Sequence, residues 1–219
     1  MLSQDVKNAN EQSKYCYPGT DILKNKMDYK DQDLLKSVET IMTGVRIMEL
    51  QKKPITGNFD LKHLQKVHKY MFQDVYPFAG KLREENIAKG SFQFAHASFL
   101  KDQAVELFKQ LKDENTLKGL KIDEFSNRAA HYMAEINVLH PFREGNGRTQ
   151  REFIRCLALS NGYSLEWERE KKEAVFNASV KSVLDPTDLS KIIKNTITNH
   201  EPDPKISKVF NIHKPGISR

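Results

Sequence analysis

The chain is poor in the residues that build a covalently or metal-stapled scaffold. Of its 219 residues only two are cysteine, Cys16 and Cys156. Two thiols so far apart exclude a disulfide framework and a cysteine-rich zinc site, and they fit a reducing compartment. Cys156 stands in an apolar helical run and reads as a small buried hydrophobe, not a nucleophile. No apolar stretch approaches the roughly 20 residues that span a bilayer. The polar start, residues 1–8, does not match a cleaved leader. The expected place of synthesis is therefore a cytosol, with export by a signal-independent route left open. Internal repeats, low-complexity segments and heptad arrays are also missing, which excludes solenoids and coiled coils.

What remains is an ordinary globular composition, 38% hydrophobic and 29% charged, with a net charge of +6. The length suits one domain. The basic balance suits an anionic partner without choosing among nucleic acid, membrane and small anion. Helical spacing of apolar residues predicts helices over about 33–50, 61–72, 97–112, 122–139, 147–160, 171–183 and 188–199. Asp60 is expected to cap the second and the segment Asp185-Pro-Thr-Asp188 the last. Asn161-Gly162 is a C-terminal stop. The one strand signal lies at 82–94, where Gly90 is flanked by Ile87 and the alternating pair Phe92 and Phe94, a short hairpin. Residues 1–14 are expected to be flexible, with Ile22 and Leu23 anchoring an N-terminal arm. Residues 202–219 read as a basic, weakly structured tail or linker. The fold class is all-α with one small β-hairpin.

The segment 140–151 carries the chemistry. Gly145-Asn146-Gly147 permits a tight turn, because glycine tolerates positive φ. If a helix begins there, its unpaired N–H groups and positive dipole end form a ready phosphate site. Arg148, Arg151 and Arg155 follow on one helix face, where they oppose the dipole unless an anion lies above them. Guanidinium forks match phosphate oxygens. Glu144 beside such a nest calls for a cation, and Mg²⁺ takes one or two carboxylates plus substrate phosphates. His140 has an unperturbed pKa near 6.5 and can take a proton from an attacking hydroxyl. The set suits displacement at phosphorus.

These residues resemble the Fic family. Its motif, His-x-Phe-x-Asp/Glu-Gly-Asn-Gly-Arg-x-x-Arg, is matched by His140, Phe142, Glu144, Gly145, Asn146, Gly147, Arg148 and Arg151. The stretches 17–26 and 72–83 also look like family segments, so the resemblance covers 15–201 as a Fic domain with an N-terminal arm. It implies a helical fold with a β-hairpin flap, and transfer of AMP from Mg²⁺-ATP to a Tyr, Thr or Ser hydroxyl of a target protein. His140 is then the catalytic base. The nucleotide is bound by Arg143, Glu144, Gly145, Asn146, Gly147, Arg148 and Arg151, with Lys89 and Gly90 of the flap touching it. Glu144 holds the metal, Phe142 seats the loop, and the flap 82–94 pairs main chain with the target.

Many Fic proteins are silenced by a helix bearing Ser/Thr-x-x-x-Glu-Gly/Asn. The glutamates followed by Gly or Asn here are Glu85, Glu114 and Glu144, preceded four positions earlier by Lys81, Gln110 and His140. None is Ser or Thr. The resemblance therefore implies a toxin-like member restrained by a separate small antitoxin protein. It acts in a bacterial cytoplasm or in a host cell, with no membrane or direct nucleic-acid partner.

Blander readings apply elsewhere. Arg155 suits a surface salt bridge with Glu152 as well as a phosphate. His63 and His68 lack zinc-ligand spacing, and His131 reads as a packed core histidine. Two alternatives to AMP transfer stand: an ATP-binding regulatory module with little turnover, and a Fic-fold transferase of phosphate or phosphocholine.

Overall fold

Helix α4, Ile122–Leu139, runs through the centre of the computed structural model, which describes residues 12–212. Phe125, Ala129, Ala130, Tyr132, Met133 and Ile136 recur at helical spacing and are all fully buried. Helix α5, Asn146–Ser160, packs against it and is almost as deeply enclosed. Its sequence mixes Phe153, Ile154 and Leu157 with Thr149, Gln150 and Glu152, all buried. The polar members are there for bonding: Arg155 reaches Glu152 through two hydrogen bonds of 2.7 and 2.8 Å.

The remaining helices wrap this pair. Helix α1 spans Gln32–Lys52, α2 Leu61–Phe72, α3 Leu100–Asp113, α6 Lys172–Lys181, α7 Thr187–Thr196 and α8 Pro204–Ile212. Asp31 and Asp60 cap α1 and α2, each accepting a backbone N–H in the first turn. Asn161 and Gly162, at φ 82°, end α5 where the stop signal falls. At α7 the capping bond comes from the expected segment: Asp185 accepts the Thr187 N–H at 2.9 Å, while Asp188 pairs with Lys181 and Lys191.

Two apolar clusters divide the interior. The larger gathers α3, α4, α5 and α7; the smaller lies between α1, α2 and residues 72–78, with Tyr15, Ile22 and Leu23 of the N-terminal arm packed on it. The arm turns at Pro18-Gly19 and pairs Cys16 with Leu23. Residues 1–11 lie outside the described residues. Residues 12–14 do not behave as a flexible start: Ser13 and Lys14 both bond to Glu85.

The hairpin is shorter than its sequence span. Strand β1 is Ala88–Lys89 and β2 Phe92–Gln93, antiparallel, with Ala88 opposite Gln93. Residues 202–212 also depart from expectation. Helix α8 forms from 204, and Phe210 is buried with its ring stacked on Phe59. One aromatic anchor in a lysine-rich stretch is too little signal to read as a helix in sequence. Residues 213–219 lie outside the described residues. Among the described residues no helix is long and apolar enough to cross a membrane.

Candidate active site

The chain leaves α4 through His140, whose φ of 44° and ψ of 61° place a non-glycine residue in the left-handed region. Such a conformation costs of order 1–3 kcal/mol and persists only where the surroundings enforce it. Here it turns the chain into the loop 140–145. His140 Nδ1 stands 3.3 Å from the Asn137 carbonyl oxygen, which can only accept. Nδ1 therefore carries the proton, and Nε2 presents its lone pair. The Phe94 ring stacks on the imidazole at 3.8 Å. Burial, chiefly, and the charges of Arg83 and Lys89 lower the His140 pKa to about 4. The ring is thus a neutral proton acceptor at physiological pH.

The loop is braced from within. Asn146 donates to the Phe142 carbonyl at 2.7 Å and accepts the Phe142 N–H at 2.9 Å. Its role is this brace; within 145–147 only Gly145 has a positive φ, 79°. Gly145 is also sterically required, since a Cβ there would lie 2.2 Å from the Phe72 ring. Phe142 is buried and stacks on His68 at 3.8 Å. His68 is itself fully buried. Gly80 N–H donates to its Nδ1 at 2.7 Å, so Nε2–H donates to the Glu144 carbonyl at 2.9 Å. Desolvation lowers its pKa to about 4, which keeps this arrangement neutral. The core histidines are therefore His63 and His68, and His131 is only half-buried.

Helix α5 begins at Asn146 with no side-chain cap and no acidic residue in its first turn. Its leading N–H groups face the loop mouth at the positive end of the dipole. A Cβ on Gly147 would meet only the end of Arg151, at 3.5 Å, so the bare backbone keeps that approach open. Glu144 folds its carboxylate onto this end, accepting the Gly145 N–H at 2.8 Å and lying 3.6 Å from Arg148.

The two motif arginines differ in environment. Arg148 donates to Glu39 of α1 at 2.6 Å and to Thr43 at 3.1 Å, and lies over the Phe72 ring. Tyr76 donates to the other oxygen of Glu39. Arg148 is thus held in place by an acid more than a hundred positions away. Arg151 has no carboxylate partner among the described residues, and its main-chain carbonyl accepts from Trp167 at 3.0 Å. Burial, and then Arg148, lower its pKa. A partly desolvated guanidinium facing another cation is a standing demand for an anion. Arg155 answers no such demand. Its bond to Glu152 is buried, not at the surface, and Leu50 O takes a further donor at 2.8 Å.

Glu144, Gly147, Arg148 and Arg151 thus lie together at the start of α5. Arg143 is 7% exposed, so its side chain packs inside the protein. At the flap tip Lys89 lies 4.2 Å from the Phe176 ring of α6, and Gly90, at φ 59°, has open space around it. A cleft of about 1320 Å³ opens beside Arg148 and Arg151 and runs between α1 and α6 toward α8, lined also by Trp167 and Phe176. Spacing along the chain could not reveal Glu39, His68, Tyr76, Arg83 or Phe94, which reach the site only through tertiary packing.

Comparison with known proteins places this geometry. Residues 58–158 match the model of the Fic/DOC family. The Bartonella schoenbuchensis protein adenylyltransferase VbhT is 43% identical over 185 residues, 84% of this chain but only 39% of the relative's length. The Escherichia coli K12 protein named "Probable protein adenylyltransferase Fic" is 36% identical over 84% of this chain and 92% of its own length. Among solved structures, BepC of Bartonella tribocorum, a VirB-translocated effector with bound AMPPNP, superposes with a TM-score of 0.77 at 25% identity, covering 86% of this chain and 97% of that one. With motif, fold and near full-length likeness in agreement, this chain belongs to the Fic/DOC family.

Proposed function

We propose that this chain transfers AMP from ATP to a hydroxyl side chain of a target protein and releases pyrophosphate. The observation that carries the reading is a neutral imidazole with a free Nε2 edge, set beside an uncapped helix N-terminus and an arginine that lacks an acid among the described residues. Bound AMPPNP in BepC and the adenylyltransferase names of the curated relatives support it.

The steps follow from the residues. A target segment lies along the exposed edge of β2, adding a strand to the flap, and brings a hydroxyl to His140. Nε2 takes the hydroxyl proton as the oxygen attacks the α-phosphorus. A P–O bond to the target forms and the bond to pyrophosphate breaks. The N–H groups at 145–147 hold phosphate oxygens, while Arg148 and Arg151 offset the charge gathering on the leaving group. Among the described residues no cluster of His, Cys, Asp or Glu forms an all-protein metal cage. Glu144, one carboxylate at the mouth of the nest, fits Mg²⁺ shared with substrate phosphates, which would supply further neutralisation.

A separate inhibitory protein is part of this reading. Helix α1 exposes Leu34, Ile41, Val45 and Met48 along one face, at 45–67% exposure. The same helix borders the cleft that holds Arg148 and Arg151. An amphipathic helix seated at the cleft itself, against Thr40, Gly44 and Ile47 of α1 and with an acid reaching Arg151, would block the phosphate position. The compartment, bacterial cytoplasm or host cell, follows from where the target is found.

Labelling a lysate with ATP tagged on the α- or the γ-phosphate tests the reaction. Protein-bound α label is expected. Transfer of the γ label would assign phosphate transfer, and binding with neither label would assign a regulatory module.

A further inference from the structure

Arg83 is a guanidinium sealed inside the protein, 2% exposed, at the base of the flap. No carboxylate pairs with it among the described residues. Its charge is met instead by four main-chain carbonyls. Nε donates to His140 O at 2.8 Å, Nη1 to Glu85 O at 2.8 Å, and Nη2 to Leu139 O at 3.1 Å and to Ala95 O. The backbone N–H of Arg83 donates to Pro141 O at 2.9 Å. Desolvation lowers its pKa to about 10, so the group stays charged.

The four acceptors belong to two segments that have to meet. Leu139 and His140 are the last carbonyls of α4, the negative end of its dipole, where a buried cation is favoured. Glu85 and Ala95 flank the two ends of the flap. Their meeting is reinforced by Ala95 N–H on Val138 O at 3.1 Å and by Phe94 on the imidazole. His140 holds a left-handed conformation that its own side chain does not favour. Only a planar fork with diverging donors can serve both segments at once; a lysine ammonium cannot span them.

We infer that Arg83 is the positioning residue that fixes the catalytic turn at His140 and the docking of the flap as one unit, through its four carbonyl contacts. Arg83 need not touch substrate. It sets where Nε2 points relative to the edge of β2, and so where a hydroxyl carried by a strand on the flap meets the base. This inference rests on the proposed transfer reaction, but two of its readouts do not.

Arg83→Lys and Arg83→Gln in the full chain test it. Transfer at saturating target is expected to fall roughly 10- to 100-fold, the scale of an ångström of misplacement, while ATP affinity stays within twofold. Amides at 85–95 should exchange at least tenfold faster, with α4 and α5 still protected. Burial is the main cause of the low His140 pKa and the Arg83 and Lys89 charges add to it, so in the glutamine variant the imidazole titration seen by NMR should move upward from about 4. Transfer and flap exchange within twofold of the parent would overturn the inference. So would loss of protection throughout the chain with loss of ATP binding, which would make Arg83 a general stability residue. If the parent chain moves no AMP, the reaction reading fails, and exchange and titration still decide the role of Arg83.

Discussion

At the scale of the residue, function here depends on protonation states set by burial. A free histidine at pH 7 is already mostly neutral; His140 is kept neutral well into acid. Its chemistry should therefore be insensitive to pH between about 5 and 7 and fall only as pH approaches 4, which single-turnover rates across that range would show. His140→Ala should lower transfer by roughly 10²–10⁴-fold with ATP affinity largely retained by residues 144–151. Wild-type rates in that variant would remove His140 from the mechanism. Arg148 shows how neighbours qualify a motif. The spacing marks it as a phosphate ligand, yet Glu39, Thr43 and Phe72 already fix its orientation. A guanidinium has five donors, so a held arginine still has N–H groups to offer and loses less freedom on binding.

At the scale of the element, the two glycines of the loop make opposite predictions. Gly145→Ala drives a methyl into Phe72 and forces a left-handed alanine. The combined cost should be about 2–5 kcal/mol, read as a lower urea midpoint. Gly147→Ala sits in a first helical turn with only ordinary contact to Arg151. It should leave the midpoint unchanged or raise it slightly, while weakening ATP binding in calorimetry. Equal effects of the two substitutions on stability would contradict this division of labour. Helix α8 makes a further claim. Phe210 is 3% exposed between Phe59 and α5, so Phe210→Ala should cost about 3 kcal/mol. A neutral result in chemical denaturation would return 202–219 to the status of a tail.

At the scale of the whole molecule, the buried histidines link stability to pH. His68 and His140 each have folded pKa values near 4 against about 6.5 unfolded. Their contribution is fully present above pH 6.5 and is lost as pH falls toward 4, because the unfolded chain then binds protons that the folded one refuses. For His68, which is fully buried, this amounts to about 3 kcal/mol. The denaturation midpoint should drop between pH 7 and 4.5, a window above the one where Glu49, Asp74 and Glu114, all with lowered pKa, contribute. A flat midpoint over that window would mean that these rings are not buried neutral.

Most of the helices were legible in the sequence because apolar spacing and capping are local properties. So was the candidate site, since His140, Glu144, the loop glycines, Arg148 and Arg151 fall within one turn and one helix start. The sequence by itself determined which motif residues are present, their order and the helix that carries them. Tertiary structure alone decided which arginine is left without an acid, which histidines are neutral, and which face of α1 stays bare. It also brought Arg83 beneath His140 and Phe94 across its ring. Those outcomes depend on desolvation and on contacts between segments far apart in the chain, quantities that neither spacing nor composition encodes.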